Sequence, residues 1–347
     1  MTTDYRLLYF LGAGAARPCG FQTTAELYHS LVGEEAGLAL FQKFGGSLKA
    51  VTEGLPVDIE TLYTMASSNV DETVHEMYSA FDSPNLTGAL ILDVLRRQDT
   101  WHGKLEELKA AFAEAGEAIL RFIARKFWEV EPTTDPYKEL YLELACRTLG
   151  FENVAVFTTN YDTSLERMLS EEFPYPFTTG LAGDRFLPLI LHQLRGESLR
   201  IVKLHGSLDL YQLSDGRIVR INYRASPGRW SGDAEILGPY LVPPEEGKVS
   251  YDETQEQLLR MFEEAVKEAD AMAIVGSSLR DSRLATILAE ASEECHILLA
   301  CGSKSSDLQA KWFAEQEYVQ TVAEHFPNES VKEWLIVQIT RQGAAPK

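Results

Sequence analysis

Four short runs of glycine or polar residues in this sequence each follow an apolar segment. They are Gly12-Ala13-Gly14, Thr158 to Asp162, Leu204 to Ser207 and Gly276 to Leu279. Glycine at the end of a strand lets the backbone approach a pyrophosphate, and the helix that follows offers its N–H groups. The full Gly-x-Gly-x-x-Gly pattern is absent because position 17 is Arg. A plain strand-to-helix turn therefore explains Gly12 and Gly14 as well as a phosphate loop does.

The second and third runs contain an amide, a carboxylate and an imidazole. Asn160 ends an apolar segment, where its amide can orient a water molecule or a ribose hydroxyl. Asp162 can cap the following helix or contact a ligand amide. His205 precedes a glycine that permits close approach of a ligand, and imidazole is a natural acceptor for the proton of a sugar hydroxyl. The alternatives are a simple helix cap for Asp162 and a structural role for His205.

The fourth run, Gly276-Ser277-Ser278, places small hydroxyl side chains after the segment Met272 to Val275. These hydroxyls can hydrogen-bond to phosphate or ribose, whereas a capped helix start, with Asp281 following, explains the same residues. A parallel sheet brings the carboxyl ends of its strands to a common edge. We therefore expect the four runs to form one ligand site.

Strand-like and helix-like segments alternate along most of the chain, which predicts the sheet that positions these runs. The predicted strands are Arg6 to Leu11, Val154 to Thr158, Leu199 to Leu204, Met272 to Val275 and Ile297 to Ala300. The predicted helices are Ala25 to Val32, Thr163 to Ser170, Thr254 to Glu268 and Arg283 to Ala291. This pattern predicts an α/β fold of the Rossmann-like, doubly wound type with a mainly parallel sheet.

Two segments depart from this alternation. From about residue 41 to 150 the signals are helical, and apolar side chains recur at steps of three or four residues at Leu105, Leu108, Phe112, Ala115, Ile119 and Phe122. Asp215-Gly216, between two alternating runs, predicts a small β-hairpin excursion from the sheet. We expect a single domain over residues 1–347 with a helical insertion at about 41–150. A last strand and helix are expected between Tyr318 and Ile339, with Asn328 as the helix cap.

Charge and composition exclude several classes of protein. Lys and Arg number 32 and Asp and Glu number 52, which gives a formal net charge of −20 at pH 7, and a field of that sign repels nucleic-acid phosphates. No run of about 18 apolar residues predicts a membrane span, and the N-terminus lacks a secretory pattern. The four cysteines, at 19, 146, 295 and 301, contain no Cys-x-x-Cys pair. We expect a cytoplasmic protein with no zinc, membrane contact or direct nucleic-acid partner.

The runs Gly-Ala-Gly, Thr-Thr-Asn-Tyr-Asp, Leu-His-Gly-Ser and Val-Gly-Ser-Ser-Leu, in that order and at these separations, resemble the sirtuin superfamily. The similarity extends over about residues 6 to 302. Within that superfamily the chain looks similar to the bacterial sirtuin-like NADases of antiphage defence, and the segment Pro239 to Lys248 also resembles that branch. The resemblance implies NAD as the substrate.

The resemblance also implies roles for individual residues. Asn160 would hold the ribose and order the attacking nucleophile, Asp162 would lie beside the nicotinamide amide, and His205 would act as a base at ribose hydroxyls. The cofactor-binding residues that it implies are Gly12, Ala13, Gly14, Ala15, Thr159, Gly206, Gly276, Ser277 and Ser278. These roles follow from similarity and not from spacing.

Four departures from the sirtuin pattern shape the expected activity. Ala16 stands where sirtuins usually carry Ser, the segment Gly20 to Thr24 differs from the usual sequence, and Thr159 replaces the usual Gln. The four-cysteine zinc module of protein deacylases is missing. We therefore expect an NAD glycohydrolase, which cleaves NAD to nicotinamide and ADP-ribose in abortive-infection antiphage defence. The alternatives are a non-catalytic module that senses NAD or ADP-ribose and an NAD-dependent protein deacylase.

The resemblance further implies how such a protein would be controlled. Family members often act in assemblies, so a homo-oligomer is expected. The sequence contains no recognisable sensor domain, and a separately encoded partner, such as an ATPase or an Argonaute-like protein, is therefore expected by analogy. The helical insertion carries no catalytic signature, and coverage of the site, an oligomer contact and a lid all remain open.

Overall fold

A computed structural model of the chain describes residues 6–33, 116, 118–194, 196–221, 228–229, 234–242, 253–279, 281–301, 312–314 and 316–344. The chain divides into two compact units. The larger comprises Met1–Phe21, Phe127–Val242 and Glu246–Lys347, and the smaller comprises Gln22–Lys126 and Pro243–Glu245.

A seven-stranded sheet forms the centre of the larger unit. Its strands are β1 (Leu7–Leu11), β2 (Val154–Thr158), β3 (Phe177–Thr178), β6 (Leu199–Lys203), β11 (Ala271–Val275), β12 (His296–Ala300) and β13 (Val319–Val322). They lie in the order β13-β12-β11-β1-β2-β6-β3, and every neighbouring pair is parallel. β1, β2 and β11 are buried along their whole length, as expected of parallel strands covered on both faces.

Helices cover both faces of this sheet. Alternate strand residues such as Tyr9 and Val156 face one apolar cluster, and their neighbours Phe10 and Phe157 face the other. The first cluster contains residues of α1 (Ala13–Ala16), α3 (Asp135–Lys138), α4 (Leu142–Leu149), α5 (Ser164–Glu172) and α9 (Glu329–Ala344). The second contains residues of α6 (Pro188–Gln193), α7 (Glu253–Lys267) and α8 (Ser282–Ala289). The predicted Rossmann-like, doubly wound architecture is confirmed.

A second, antiparallel sheet accompanies the first in the larger unit. Its order is β4 (Leu181–Ala182), β5 (Arg185–Phe186), β8 (Ile218–Arg220), β7 (Gly206–Leu213), β10 (Glu235–Leu241) and β9 (Gly228–Arg229). The predicted hairpin at Asp215-Gly216 joins β7 to β8, with Gln212 opposite Ile218. The excursion is larger than the sequence suggested because β10, which carries Gly and Pro, pairs with β7 along most of its length.

The smaller unit is described at α2 (Thr24–Gly33) and over the helical residues 118–126. Thr23 and Glu26 cap α2 reciprocally: the Thr23 N–H donates to Glu26 Oε2 over 2.8 Å, and the Glu26 N–H donates to Thr23 Oγ1 over 3.4 Å. Ile119 and Phe122 of the predicted apolar stripe are buried. The other four stripe residues lie outside the described residues, and the single domain with an insertion at about 41–150 stays a prediction.

The C-terminal elements follow the sequence prediction. β13 lies in the expected segment, whereas α9 begins there and continues beyond Ile339 to Ala344. Asn328 Oδ1 accepts a hydrogen bond of 3.0 Å from the Val331 N–H at the start of α9. Among the helices that the structure describes, none combines the length and apolar character needed to cross a membrane.

Candidate active site

The four polar runs follow four neighbouring strands of the parallel sheet. The adjacent strands β11, β1, β2 and β6 end at Val275, Leu11, Thr158 and Lys203. In the sheet register Leu11 lies opposite both Thr158 and Val275, and Thr158 lies opposite Lys203. The carboxyl ends of all four strands therefore lie side by side, and the sheet brings the four runs to one edge as expected.

The strand order reverses at this edge between β1 and β11. The helices that follow β1 and β2 pack in the first apolar cluster, whereas α8, which follows β11, packs in the second. Helices that leave neighbouring strands toward opposite faces open a crevice between their loops, and open α/β sheets bind ligands there. The loops at this position are Gly12 to Gly14 and Gly276 to Ser278.

Glycine in these two loops is explained in part by their contact with each other. The Gly14 N–H donates to the Gly276 carbonyl over 2.8 Å. Gly276 has a φ of 68°, and a Cβ atom there would lie 2.1 Å from the Ala15 nitrogen. A Cβ on Gly12 would lie 2.5 Å from Ser277 Cα. Close packing of the loops thus requires glycine whether or not a pyrophosphate binds.

The Asn160 side chain is buried without a well-formed hydrogen bond for its amide nitrogen. Its backbone N–H donates to Thr158 Oγ1 over 3.0 Å, and Thr158 Oγ1 donates in turn to the Leu11 carbonyl over 2.9 Å. Nδ2 has no partner, although the Tyr137 hydroxyl lies near enough for Asn160 to oppose slightly the rise of the Tyr137 pKa that burial causes. A buried amide donor without a partner is unfavourable unless a ligand or water completes it.

Asp162 combines a capping bond with a free oxygen. Its Oδ1 accepts a hydrogen bond of 2.9 Å from the Ser164 N–H at the start of α5. Its Oδ2 is buried and has no partner among the described residues. The two sequence interpretations, a helix cap and a ligand contact, therefore use different oxygens of one carboxylate.

Lys203 supports the loop that carries Asn160 and Asp162, a role that the sequence analysis missed. Its ammonium donates to the Tyr161 carbonyl over 3.3 Å and to the Asp162 carbonyl, and it lies 3.0 Å from Glu166 Oε1. Lys203 and Glu166 are both buried. Burial raises the pKa of Glu166, and Lys203 opposes that rise. A lysine at the end of a buried strand was the available signal.

His205 lies where the chain passes from β6 to β7, and it faces a second residue that the sequence analysis left outside the site. Its Nε2 lies 3.4 Å from Asp281 Oδ2, and both side chains are almost completely buried. The pKa of Asp281 is lowered: burial raises it, but the His205 contact and the backbone N–H groups of Leu284 and Arg283 together outweigh burial. The structure thus pairs the predicted imidazole with a carboxylate.

The remaining residues that were predicted to bind the cofactor lie in or beside the same loops. Gly206 has a φ of 80°, and a Cβ there would lie 2.0 Å from the Tyr240 carbonyl oxygen, so the pairing of β7 with β10 requires glycine. Ser277 Oγ accepts a hydrogen bond of 3.2 Å from the Leu279 N–H, and Ser277 and Ser278 are partly exposed. The Thr159 N–H donates to the Leu11 carbonyl over 3.0 Å, and Ala13 is partly exposed, whereas Ala15 is buried.

The surroundings of Asp162 keep neighbouring groups neutral. Burial, and next the Asp162 charge, raise the pKa of the Cys19 thiol to about 12. The same two causes raise the pKa of Tyr137. All four cysteines are buried free thiols, and a thiol with a raised pKa is a poor nucleophile and a poor metal ligand. The described residues contain no group of three or more His, Cys, Asp or Glu side chains arranged to hold a metal ion.

A doubly wound sheet with glycine and hydroxyl residues at its switch point is the architecture in which many α/β proteins bind nucleotides. Residues 154–317 match the family described as the SIR2-like domain. This match covers slightly less than half of the chain and agrees with the resemblance that its sequence motifs indicated. Three of the four polar runs lie within the matched residues, and Gly12 to Gly14 precede them. No curated protein matches the chain in a sequence comparison.

Solved Sir2 structures align with the chain at low sequence identity. A Sir2 homologue mutant in complex with ADP-ribose is 13% identical, with 100% of this chain and 96% of that chain covered at a TM-score of 0.49. A second Sir2 homologue mutant in complex with ADP-ribose is also 13% identical, with 100% of this chain and 97% of that chain covered at a TM-score of 0.48. Sir2 bound to an acetylated peptide is 13% identical, with 99% of this chain and 95% of that chain covered at a TM-score of 0.41. Because these scores are low, the fold class rests on the strand order and the family match.

Proposed function

We propose that this protein is an NAD glycohydrolase with Asn160 and His205 at the centre of its chemistry. The observation that carries the proposal is the placement, after the adjacent strands β2 and β6, of a buried amide whose Nδ2 lacks a well-formed hydrogen bond and of an imidazole paired with a carboxylate. Buried polar groups that lack hydrogen-bond partners, at the carboxyl ends of parallel strands, favour a site for a polar ligand.

The proposed reaction breaks the bond between the nicotinamide nitrogen and ribose C1. Its electron pair leaves with nicotinamide, which is cationic in NAD and needs no general acid. Water then bonds to C1 and loses a proton, and the products are nicotinamide and ADP-ribose. The protein has to position the ribose, stabilise an oxocarbenium-like carbon and exclude competing acceptors.

The site residues divide these tasks between them. Asn160 Nδ2 would hold the ribose or the attacking water, and His205 would take a hydroxyl proton. Asp162 Oδ2 would accept from the nicotinamide amide. The loops at Gly12 to Ala15 and Gly276 to Ser278 would carry the pyrophosphate and the adenosine ribose, with Thr159 and Gly206 beside them. NAD would be the substrate, with no zinc.

The test is time-resolved product analysis of the purified protein with NAD, both isolated and in its assembled form. We expect wild type to release nicotinamide and ADP-ribose in equal amounts, and Asn160→Ala to abolish release while the circular dichroism spectrum and Tm stay near wild type. A matched control is Asn153→Ala, an asparagine that bonds to the Leu149 carbonyl away from the strand edge. Undiminished turnover in Asn160→Ala would refute the assigned role, and a cyclic product would replace hydrolysis by cyclisation.

A second candidate is a non-catalytic module that binds NAD or ADP-ribose. The loop that follows Gly14 favours it, because buried Ala16 supplies no hydroxyl where sirtuins usually carry one. Calorimetric binding of NAD without nicotinamide release, in isolated and in assembled protein, would support this candidate. Release that depends on an added acyl-lysine peptide would point instead to deacylation.

We further propose that activity depends on assembly, as a homo-oligomer and with a separately encoded sensor or ATPase in antiphage defence. A toxic NADase has to be silent at rest, which calls for a trigger outside its catalytic site. Light scattering and co-purification with proteins from neighbouring genes test this. A fully active monomer without any partner would contradict it.

A further inference from the structure

The surroundings of the His205 imidazole indicate which of its two ring nitrogens carries the hydrogen. Nε2 faces Asp281 Oδ2 at 3.4 Å, and Nδ1 makes no hydrogen bond within the described part of the chain. An ionised carboxylate accepts hydrogen bonds and cannot donate them. We propose that Asp281 is a positioning residue that holds His205 as the Nε2–H tautomer, so that Nδ1 is the proton acceptor of the site. The tautomer follows from the contact between His205 and Asp281, whereas the role of Nδ1 in catalysis rests on the proposed function.

The other carboxylate oxygen of Asp281 holds the side chain in place by accepting backbone hydrogen bonds. Oδ1 accepts hydrogen bonds from the N–H groups of Arg283 and Leu284, both over 3.0 Å, and so caps α8. The cap leaves Oδ2 directed at His205. Because the capping bonds and the His205 contact together lower the Asp281 pKa, the carboxylate remains ionised at neutral pH.

Helix α7 holds the two segments that carry this pair. Buried Gln255 donates its Nε2 hydrogen to the Leu204 carbonyl, immediately before His205. The next residue, Glu256, makes two hydrogen bonds of 3.1 Å to the Arg283 guanidinium, two residues after Asp281. Consecutive residues of one helix therefore contact the two segments that carry His205 and Asp281.

The tautomer determines which ring nitrogen of His205 can accept a proton. With the hydrogen on Nε2, the lone pair on Nδ1 is free to take the proton of a ribose hydroxyl or of water. The resulting imidazolium keeps both N–H bonds, and its charge is balanced by the Asp281 carboxylate. Serine proteases use the same division of labour, with a carboxylate that orients a histidine and sets its tautomer.

Asp281→Asn is the decisive variant, because it separates the two tasks of the side chain. Asn is as good a helix cap as Asp, so its oxygen can keep the bonds to Arg283 and Leu284. Its NH₂ group then faces His205 Nε2 as a donor, which favours the Nδ1–H tautomer. Asp215→Asn, in an exposed turn where Asp215 pairs with Arg217, is the matched exchange away from the site.

The first readout is independent of enzymatic activity. Imidazole ¹⁵N–¹H correlation spectra of ¹⁵N-histidine-labelled full-length protein, recorded where the rings are neutral, distinguish the two tautomers. The protein has seven histidines, and His205→Gln assigns the signal. We expect Nε2–H in wild type and in Asp215→Asn, and Nδ1–H in Asp281→Asn. An Nδ1–H wild type, or an unchanged tautomer in Asp281→Asn, overturns the inference.

The second readout is steady-state NAD cleavage. We expect Asp281→Asn to lower kcat by about 100-fold or more, as the loss of a working base does, while KM and Tm stay near wild type. Asp281→Ala should lower both kcat and Tm, because it also removes the cap. Wild-type kcat in Asp281→Asn overturns the positioning role. Absence of nicotinamide release from wild type, both isolated and assembled with its partner, would refute the proposed function, and the spectra would still decide the tautomer.

Discussion

Replacement of Lys203 by Met tests how the loop of Asn160 and Asp162 is held. The ammonium lies 3.0 Å from Glu166 Oε1 and also donates to the Tyr161 and Asp162 carbonyls. Removal of one partner of a buried ion pair costs about 3–5 kcal/mol, because the other charge stays buried. A domain of about 150–250 residues loses about 2–4 °C in Tm for each kcal/mol. We therefore expect Tm to fall by about 6–20 °C.

The loss should depend on pH in a stated direction. Burial raises the folded-state pKa of Glu166, so its contribution to stability is full below its unfolded pKa and is lost as pH rises through the folded value. Without Lys203, which opposes this rise, the folded pKa moves higher still. In Lys203→Met the carboxyl therefore takes up a proton more readily as pH falls, and the neutral form is less costly to bury. The destabilisation should therefore be larger near pH 8 than near pH 5.

The assay is thermal unfolding by calorimetry at the two pH values, with NAD cleavage measured in parallel. Lys203→Met with Glu166→Gln should regain part of the lost stability at the higher pH. Lys267→Met, which removes an exposed i,i+4 partner of Glu263, is the control and should leave Tm nearly unchanged. A fall in Tm of less than about 2 °C, or the same fall at both pH values, would refute the buried-pair reasoning.

Three further predictions concern single contacts, each measured by chemical or thermal unfolding. Gly206→Ala should destabilise by about 3 kcal/mol or more, because its Cβ would meet the Tyr240 carbonyl, whereas Gly183→Ala, with φ of 64° and open space around it, should cost only about 1 kcal/mol. Equal losses would contradict the clash. Asn328→Ala should cost about 1 kcal/mol through the lost cap of α9, and an unchanged midpoint would argue against that cap. Tyr9→Phe should cost about 1–2 kcal/mol, since its buried hydroxyl donates over 2.9 Å to a backbone carbonyl, and a neutral effect would mean that water replaces it.

The sequence alone predicted the main elements of the parallel sheet and the edge at which the candidate site lies. Apolar runs that end abruptly in glycine or polar residues are local signals, and the parallel sheet follows from their alternation with helical periods. Asn160 and His205 could therefore be placed at strand ends without coordinates. The hairpin at Asp215-Gly216 was also predicted, because a two-residue turn is encoded by its own residues.

Only the tertiary structure decided which side chains meet across that edge. Asp281 reads in sequence as a helix cap, and nothing local distinguishes a cap whose second oxygen faces a histidine. Lys203 and Glu166 meet because β6 lies beside β2 and α5 packs against their sheet, and strand order is a property of the whole fold. For the same reason, the sequence could not reveal that Gly14 and Gly276 touch each other. Local patterns fix where a strand ends, whereas long-range packing determines what lies next to it.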